Sequence, residues 1–137
     1  MPDFSLFGDA HVQKYEETDG EVGHDWNGTS CLVLRMKGRK SGKERKAPLI
    51  YGRDGDNYVL IASKGGADDH PGWYKNLMAH PEVEIQVRGD IIPVTAHTGT
   101  EEDKKRVWPI MTAQWPDYDK YQEKTSRSIP VVLLKPR

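Results

Sequence analysis

The stretch EVEIQVRGDIIPVTAH, residues 82 to 97, decides what kind of fold this chain can adopt. Val83, Ile85 and Val87 alternate with Glu82, Glu84, Gln86 and Arg88, a period of two that predicts a half-buried strand and argues against a helix. Gly89-Asp90 then predicts a turn into a second strand, Ile91–His97. An antiparallel hairpin is therefore the unit from which to work outward. Ser30–Met36 is a continuous apolar run, as in a strand covered on both faces. Ala47–Tyr51, Tyr58–Ala62 and Val131–Leu134 are further strand candidates, and Asp54-Gly55-Asp56-Asn57 is a strong hairpin turn. Pro48 has no N–H, so its strand is expected to start, bulge or run along an edge there.

Helices are expected over Ala10–Glu17, from Pro71 with Asp69 or His70 as cap, and over residues 116–124. A further helix opens at Thr100-Glu101-Glu102-Asp103, with acids at the positive end of its dipole, and Pro109 is expected to kink or end it. This order is not an alternation of strand and helix. It predicts a mainly β fold with α: about six antiparallel strands closing into a small barrel, with helices packed outside. Residues 1–27 are expected to form a polar lead with a short helix, and residues 28–137 the barrel domain.

The 137 residues carry 20 Lys and Arg against 21 Asp and Glu. A near-neutral chain argues against a general nucleic-acid binder, which is usually basic overall. A single cysteine, Cys31, cannot form an internal disulfide, and its apolar setting predicts a buried, inert thiol. No apolar stretch reaches the length of a membrane span, and the N-terminus lacks the layout of a signal peptide. A cytoplasmic setting is expected, with peripheral membrane contact left open. The five histidines are scattered without metal-ligand spacing and are expected at the surface or at caps. No metal site is expected.

Charge is concentrated locally. GRKSGKERKAP, residues 38–48, holds Arg39, Lys40, Lys43, Arg45 and Lys46, a quarter of the basic residues. A solvated hairpin tip is the plain reading. The flanking glycines would let backbone N–H groups face outward around an anion, and Arg forks match phosphate oxygens. The spacing fails as a nucleotide-binding P-loop: three residues separate the glycines, and Glu44 follows Lys43 where a hydroxyl is needed. ASKGG, residues 62–66, would supply a second wall with a hydroxyl, an ammonium and permissive backbone.

These motifs in this order carry a resemblance. Gly38-Arg39-Lys40-Ser41-Gly42, Arg45, Pro48-Leu49, Ala62–Gly66, Trp73-Tyr74-x-Asn76-Leu77 and His80-Pro81-Glu82-Val83 resemble the deazaflavin-dependent nitroreductase family. Trp108-Pro109, Pro116-x-Tyr118-x-x-Tyr121 and Ile129-Pro130-Val131 extend it to roughly residues 28–135. The resemblance implies a split β-barrel like that of FMN-binding oxidoreductases, with the deazaflavin coenzyme F420 as hydride carrier. It implies that Arg39, Lys40 and Arg45 grip the coenzyme's phosphate and acidic tail. Ser63 and Lys64 would lie near headgroup and tail, with Gly65 and Gly66 beside them, Pro48, Leu49 and Ala62 along the ring, and Trp73 and Asn76 at the site's edge. Ser63, Tyr118 and Tyr121 become the candidate catalytic side chains, and Trp73, Trp115, Tyr118 and Tyr121 the acceptor pocket. The implied acceptors are quinones, nitroaromatics and other activated compounds.

Two departures touch that pocket: Trp115 stands where members tend to have tyrosine, and Ile50 where an aromatic is often found. Activation of nitroimidazoles therefore does not carry over. Two other readings stay open on the sequence: an FMN-dependent oxidoreductase of the same fold, and a non-catalytic carrier of the deazaflavin. Five charges exceed what one FMN phosphate needs, which favours the longer-tailed coenzyme. The oligomeric state is not legible.

Overall fold

Alternation becomes pairing at residues 82–98. In a computed structural model describing residues 5–137, β6 (Glu82–Val87) and β7 (Asp90–Thr98) pair antiparallel, with Val83 opposite Val94 and Val87 opposite Asp90. The turn falls one residue earlier than expected, on Arg88-Gly89. Arg88 takes a left-handed φ of 54° there, and its N–H donates to the Tyr15 hydroxyl at 2.8 Å. All six expected strands are present. The others are β2 (Thr29–Lys37), β3 (Glu44–Ile50), β5 (Asn57–Ile61) and β8 (Val131–Pro136). Two short additions, β1 (Asp25–Trp26) and β4 (Gly52–Asp54), make eight among the described residues. At two and three residues they are too short to leave a periodic trace.

The sheet runs β3-β2-β6-β7-β8-β5-β4, with β1 on the start of β2. Its two ends, β3 and β4, are neighbours in the chain, joined through Tyr51. One bent strand therefore supplies both edges and brings them round to each other, which makes the sheet an open, split barrel. Pro48 lies opposite Val33, on the edge strand where a missing N–H breaks no second ladder.

The interior is filled by alternate residues: Leu32, Leu34 and Met36 of β2, Leu60 of β5, Ile85 of β6, and Val132 and Leu134 of β8. The intervening residues of β5 and β8, Val59, Ile61, Val131 and Leu133, point the other way. There they meet Val107 and Met111 of α3 (Glu101–Gln114) and Tyr118 of α4 (Asp117–Lys124). Val33 likewise meets Val12 and Tyr15 of α1 (Gly8–Glu17). Covering both faces explains why these strands are apolar throughout.

The helices bring three corrections. Pro71 is itself the N-cap of α2 (Gly72–Ala79), with no side-chain cap, while Asp69 accepts from the His70 N–H and from Lys75. Pro109 does not end α3. It lies on the exposed side, where the carbonyl of Lys105 can bond water in place of the missing N–H. Two histidines are buried: His11 is 3% exposed, and His24 is held between the Asp25 carboxylate and the Tyr51 hydroxyl, each at 2.8 Å. At the start of α3 a capping box forms, Thr100 Oγ1 accepting from the Asp103 N–H.

Tyr15 ties the N-terminal helix to the barrel. Its hydroxyl donates to the Cys31 carbonyl at 3.0 Å while accepting the Arg88 N–H, and its ring is fully buried. Tyr15→Phe leaves both backbone groups unpaired and is expected to cost about 1–3 kcal/mol, measurable by urea unfolding. Burial pushes the Tyr15 phenol up to about 12. The folded chain thus keeps a proton that the unfolded chain releases near pH 10. That contribution is complete below about pH 10 and is lost as pH rises toward 12. The loss across this window is expected to be shallower in Tyr15→Phe.

Candidate functional site

Where β3 and β5 diverge, a cavity of about 390 Å³ opens between them. Pro48, Leu49 and Ile50 border it from β3, and Leu60 and Ile61 from β5. The segment after β5 forms the floor with Ser63, Lys64 and Gly65. Trp73 of α2 closes one side; Trp115, Tyr118 and Tyr121 close another. The Ser63 and Tyr118 hydroxyls have no hydrogen-bond partner among the described residues, and neither is sealed from solvent. Both residues are otherwise buried, so the surface these hydroxyls keep is at the cavity. Burial pushes the Tyr118 phenol well above its ordinary value, so it remains a protonated donor at neutral pH.

A second cleft of about 470 Å³, bordered by basic side chains, lies beside the first. Gly38, Arg39, Lys40 and Ser41 of the β2–β3 turn line it, with Arg45, Lys46 and Ala47 of β3 and Trp73 and Asn76 of α2. Trp73 borders both spaces, and β3 runs from one to the other. The structure thus puts an apolar, ring-lined cavity and a cationic cleft end to end.

The five charges do not share one role. Lys46 Nζ is held by Glu16 at 2.8 Å and Glu44 at 3.5 Å, and Arg35 joins Glu16 at 3.0 Å. The Lys46 hydrogen bond holds the Glu16 carboxyl below its usual range. Arg39 is oriented from below: its N–H and Nη1 both donate to Asn76 Oδ1 at 3.0 Å. Lys40 and Arg45 line the cleft with no carboxylate partner among the described residues. Lys43 does not border it.

The turn uses most of its own backbone donors. Gly38 N–H donates to the Lys43 carbonyl and Gly42 N–H to the Gly38 carbonyl, at 2.8 and 2.9 Å. The Arg39 N–H goes to Asn76 and the Lys43 N–H to Ser41 Oγ, which leaves the N–H groups of Lys40 and Ser41 without a partner among the described residues.

Of the residues named from the sequence, Pro48, Leu49, Ser63, Lys64, Gly65 and Trp73 border the cavity. Arg39, Lys40, Arg45 and Asn76 border the cleft, again with Trp73. Ala62 and Gly66 border neither. Gly66 supports the floor: at φ 87° it approaches so closely that a Cβ would stand 2.7 Å from the Tyr121 carbonyl oxygen. Trp115 Nε1 donates to the Tyr121 hydroxyl at 3.1 Å, which fixes those two rings together. Trp108 lies outside, donating to Asp119 and packing on Tyr118.

Four cavity residues, Phe7, Gly8, His11 and Trp26, come from the N-terminal segment, where polar composition gave no signal. Trp26 stacks loosely on Trp115, with centroids 5.7 Å apart. Arg127 was also not legible. It donates to the carbonyls of Ala67 at 2.8 Å, Ser63 at 2.9 Å and Ala62 at 3.4 Å, clamping the floor from 60 residues away in sequence. Arg127→Ala is expected to destabilise by at least about 1.5–3 kcal/mol. It should also speed hydrogen exchange selectively at residues 63–67, read by mass spectrometry.

Residues 9–136 match the family described as F420H(2)-dependent quinone reductase. The chain is 42% identical over 131 residues to an F420H(2)-dependent quinone reductase of Mycobacterium tuberculosis, an alignment covering 93% of this chain and 88% of the relative. A solved F420-H2 dependent reductase superposes with a TM-score of 0.71 at 36% identity, over 77% of this chain and 93% of that one. A structure described as a domain-swapped dimer superposes with a TM-score of 0.74 at 33% identity, covering 90% and 96%.

Proposed function

The chain belongs to the F420H(2)-dependent quinone reductase family, and from that premise we propose that the adjoining cavity and cleft are its coenzyme and acceptor site. It is an oxidoreductase using reduced coenzyme F420. The observation that carries the site reading is the continuity of a ring-lined apolar cavity with a cationic cleft across Trp73. The donor set suits a flat ring bearing an anionic tail: Lys40 and Arg45 without carboxylate partners among the described residues, an Arg39 pre-oriented by Asn76, and a Ser63 hydroxyl on the cavity floor, likewise unpartnered among them.

When bound, a reduced deazaflavin supplies two electrons as a hydride. The protein's part is to hold, orient and shield. Lys40 and Arg45 pair with the tail's phosphate and carboxylates, and Arg39 adds a fork whose direction is set by Asn76. Pro48 and Leu49 of β3 give the ring an apolar seat, and Trp73 closes it. Ser63 donates toward ring or acceptor oxygen. Tyr118 donates to the acceptor oxygen as charge builds there, and Trp115 and Tyr121 form a flat wall for a quinone. Ala62 and Gly66 act through the shape of the floor. The same wall accommodates nitroaromatic and other flat activated acceptors, with Trp115 and Ile50 setting which ones enter.

We place the enzyme in the cytoplasm, in peripheral contact with a quinone-bearing membrane where its acceptor is lipid-soluble. No helix among the described residues is long and apolar enough to cross a bilayer.

Lys40→Ala and Arg45→Ala are each expected to weaken F420 binding by roughly 10- to 100-fold, with melting temperature unchanged. Lys46→Ala should instead lower the melting temperature and leave affinity nearly intact, because its ammonium serves Glu16. Fluorescence titration, repeated at two salt concentrations and with FMN as competitor, checks this. Normal F420 affinity in the Lys40→Ala, Arg45→Ala double variant contradicts the reading.

A further inference from the structure

One cavity residue, His11, carries an imidazole that has no role in the site described above. His11, on α1, is 3% exposed and borders the cavity with Trp26. Its Nε2 lies 2.8 Å from the Gly23 carbonyl oxygen. A carbonyl only accepts, so Nε2 carries a hydrogen and the free nitrogen is Nδ1. Nδ1 has no partner, and Arg35 Nε is the one buried side-chain nitrogen or oxygen sealed from solvent without a partner among the described residues. Nδ1 therefore keeps an accessible face, and the open space against His11 is the cavity.

The mount for this ring is specific. Gly23 sits at φ 113°, and a Cβ there would stand 3.1 Å from His11 Cδ2 and 3.2 Å from Nε2. Glycine at this turn lets the backbone approach the imidazole closely enough to hold it. Trp26 stacks loosely on the ring, inclined by 29° with centroids 6.0 Å apart, and continues to Trp115.

Resting on the reading of this cavity as the acceptor site, we propose that His11 is the proton donor to the reduced quinone. The quinone takes up a hydride, two electrons and one proton, from the reduced coenzyme, which is thereby oxidised by two electrons. The product is a hydroquinone monoanion, one proton short of the neutral hydroquinone. The imidazolium of His11 gives that proton from Nδ1, and an O–H bond forms as the N–H bond breaks. Nε2–H stays on the Gly23 carbonyl, so the ring is left in the tautomer that the carbonyl already selects. Nδ1 regains a proton from water at the cavity mouth. Other cavity groups are less suited: burial pushes the Cys31 thiol up to about 12, and the Tyr118 phenol is also raised. Imidazole is the side chain that exchanges protons readily near neutral pH.

The test combines variants with a direct observation on the unmutated chain. His11→Gln retains an N–H for the Gly23 carbonyl but has no proton to give. It is expected to reduce menadione about 10²-fold more slowly in single turnover, with F420 affinity unchanged. His11→Ala should be equally slow and should recover rate when imidazole is added. In the full-length unmutated chain, the His11 Nδ1 nitrogen resonance should shift when menadione is added, with or without coenzyme. Menadione reduction by His11→Gln within about 2-fold of the unmutated rate would overturn the proposal, since a positioned general acid contributes far more. So would an His11→Ala variant indifferent to imidazole, or an Nδ1 resonance that menadione leaves in place. Failure of the unmutated chain to bind F420 strikes the coenzyme reading instead; the resonance measured without coenzyme still judges His11.

Discussion

The site depends on one constraint: β3 is hydrogen-bonded on one side only. A strand paired on both sides would leave no gap in the barrel wall and no place for Pro48. With its second side free, β3 parts from β5, and the cavity forms where their ladder would have been. The same strand carries Arg45 and Lys46 at one end, Pro48 and Leu49 in the middle, and the Tyr51 bend at the other. The cationic cleft, the apolar cavity and the barrel closure thus all draw on a single seven-residue element and its corner. An exposed strand edge is usually a liability for aggregation. Here Lys, Arg and Pro protect it, and they are also the residues proposed to grip the coenzyme.

Stability and binding are divided between chemically similar side chains. Lys46 and Arg35 converge on Glu16, fastening α1 over β2 and β3. Arg127 spends its guanidinium on three carbonyls of the cavity floor. Lys40 and Arg45, six residues and one residue before Lys46, have no such partner among the described residues. Arg and Lys are not interchangeable in these posts. Only a planar fork reaches several fixed carbonyls at once, as Arg127 does, whereas a lysine ammonium serves Glu16 as a point charge.

Much of this architecture was legible in the sequence because burial leaves a period. Val83, Ile85 and Val87 gave a strand; the apolar runs of β2 and β8 gave buried strands, and Tyr58–Ala62 gave β5. The order of the short motifs singled out residues of β3 and of the segment after β5, and these border the cavity and the cleft. What was not legible is of a different kind. Strands of two or three residues have no period. A histidine's identity does not say whether it is buried, so His11 and His24 were placed at the surface. That the Gly38 and Gly42 N–H groups turn inward, onto the Lys43 and Gly38 carbonyls, shows only in the folded turn. Arg127, Trp26 and His11 act through contacts between distant segments, and nothing local in their neighbourhoods marks them. Gly23 reads as an ordinary turn glycine until the imidazole is seen against it.

The central claim is that cavity and cleft are one site, holding a flat ring in the first and an anionic tail in the second. It is tested most directly by measuring the affinity of the intact coenzyme and of its ring fragment without the phosphate and acidic tail, each at low and high salt. The account predicts that the intact coenzyme binds at least about 10²-fold more tightly at low salt and that this advantage shrinks as salt rises, because it comes from screened charge pairs. Equal affinity of fragment and coenzyme, or an advantage indifferent to salt, would contradict it.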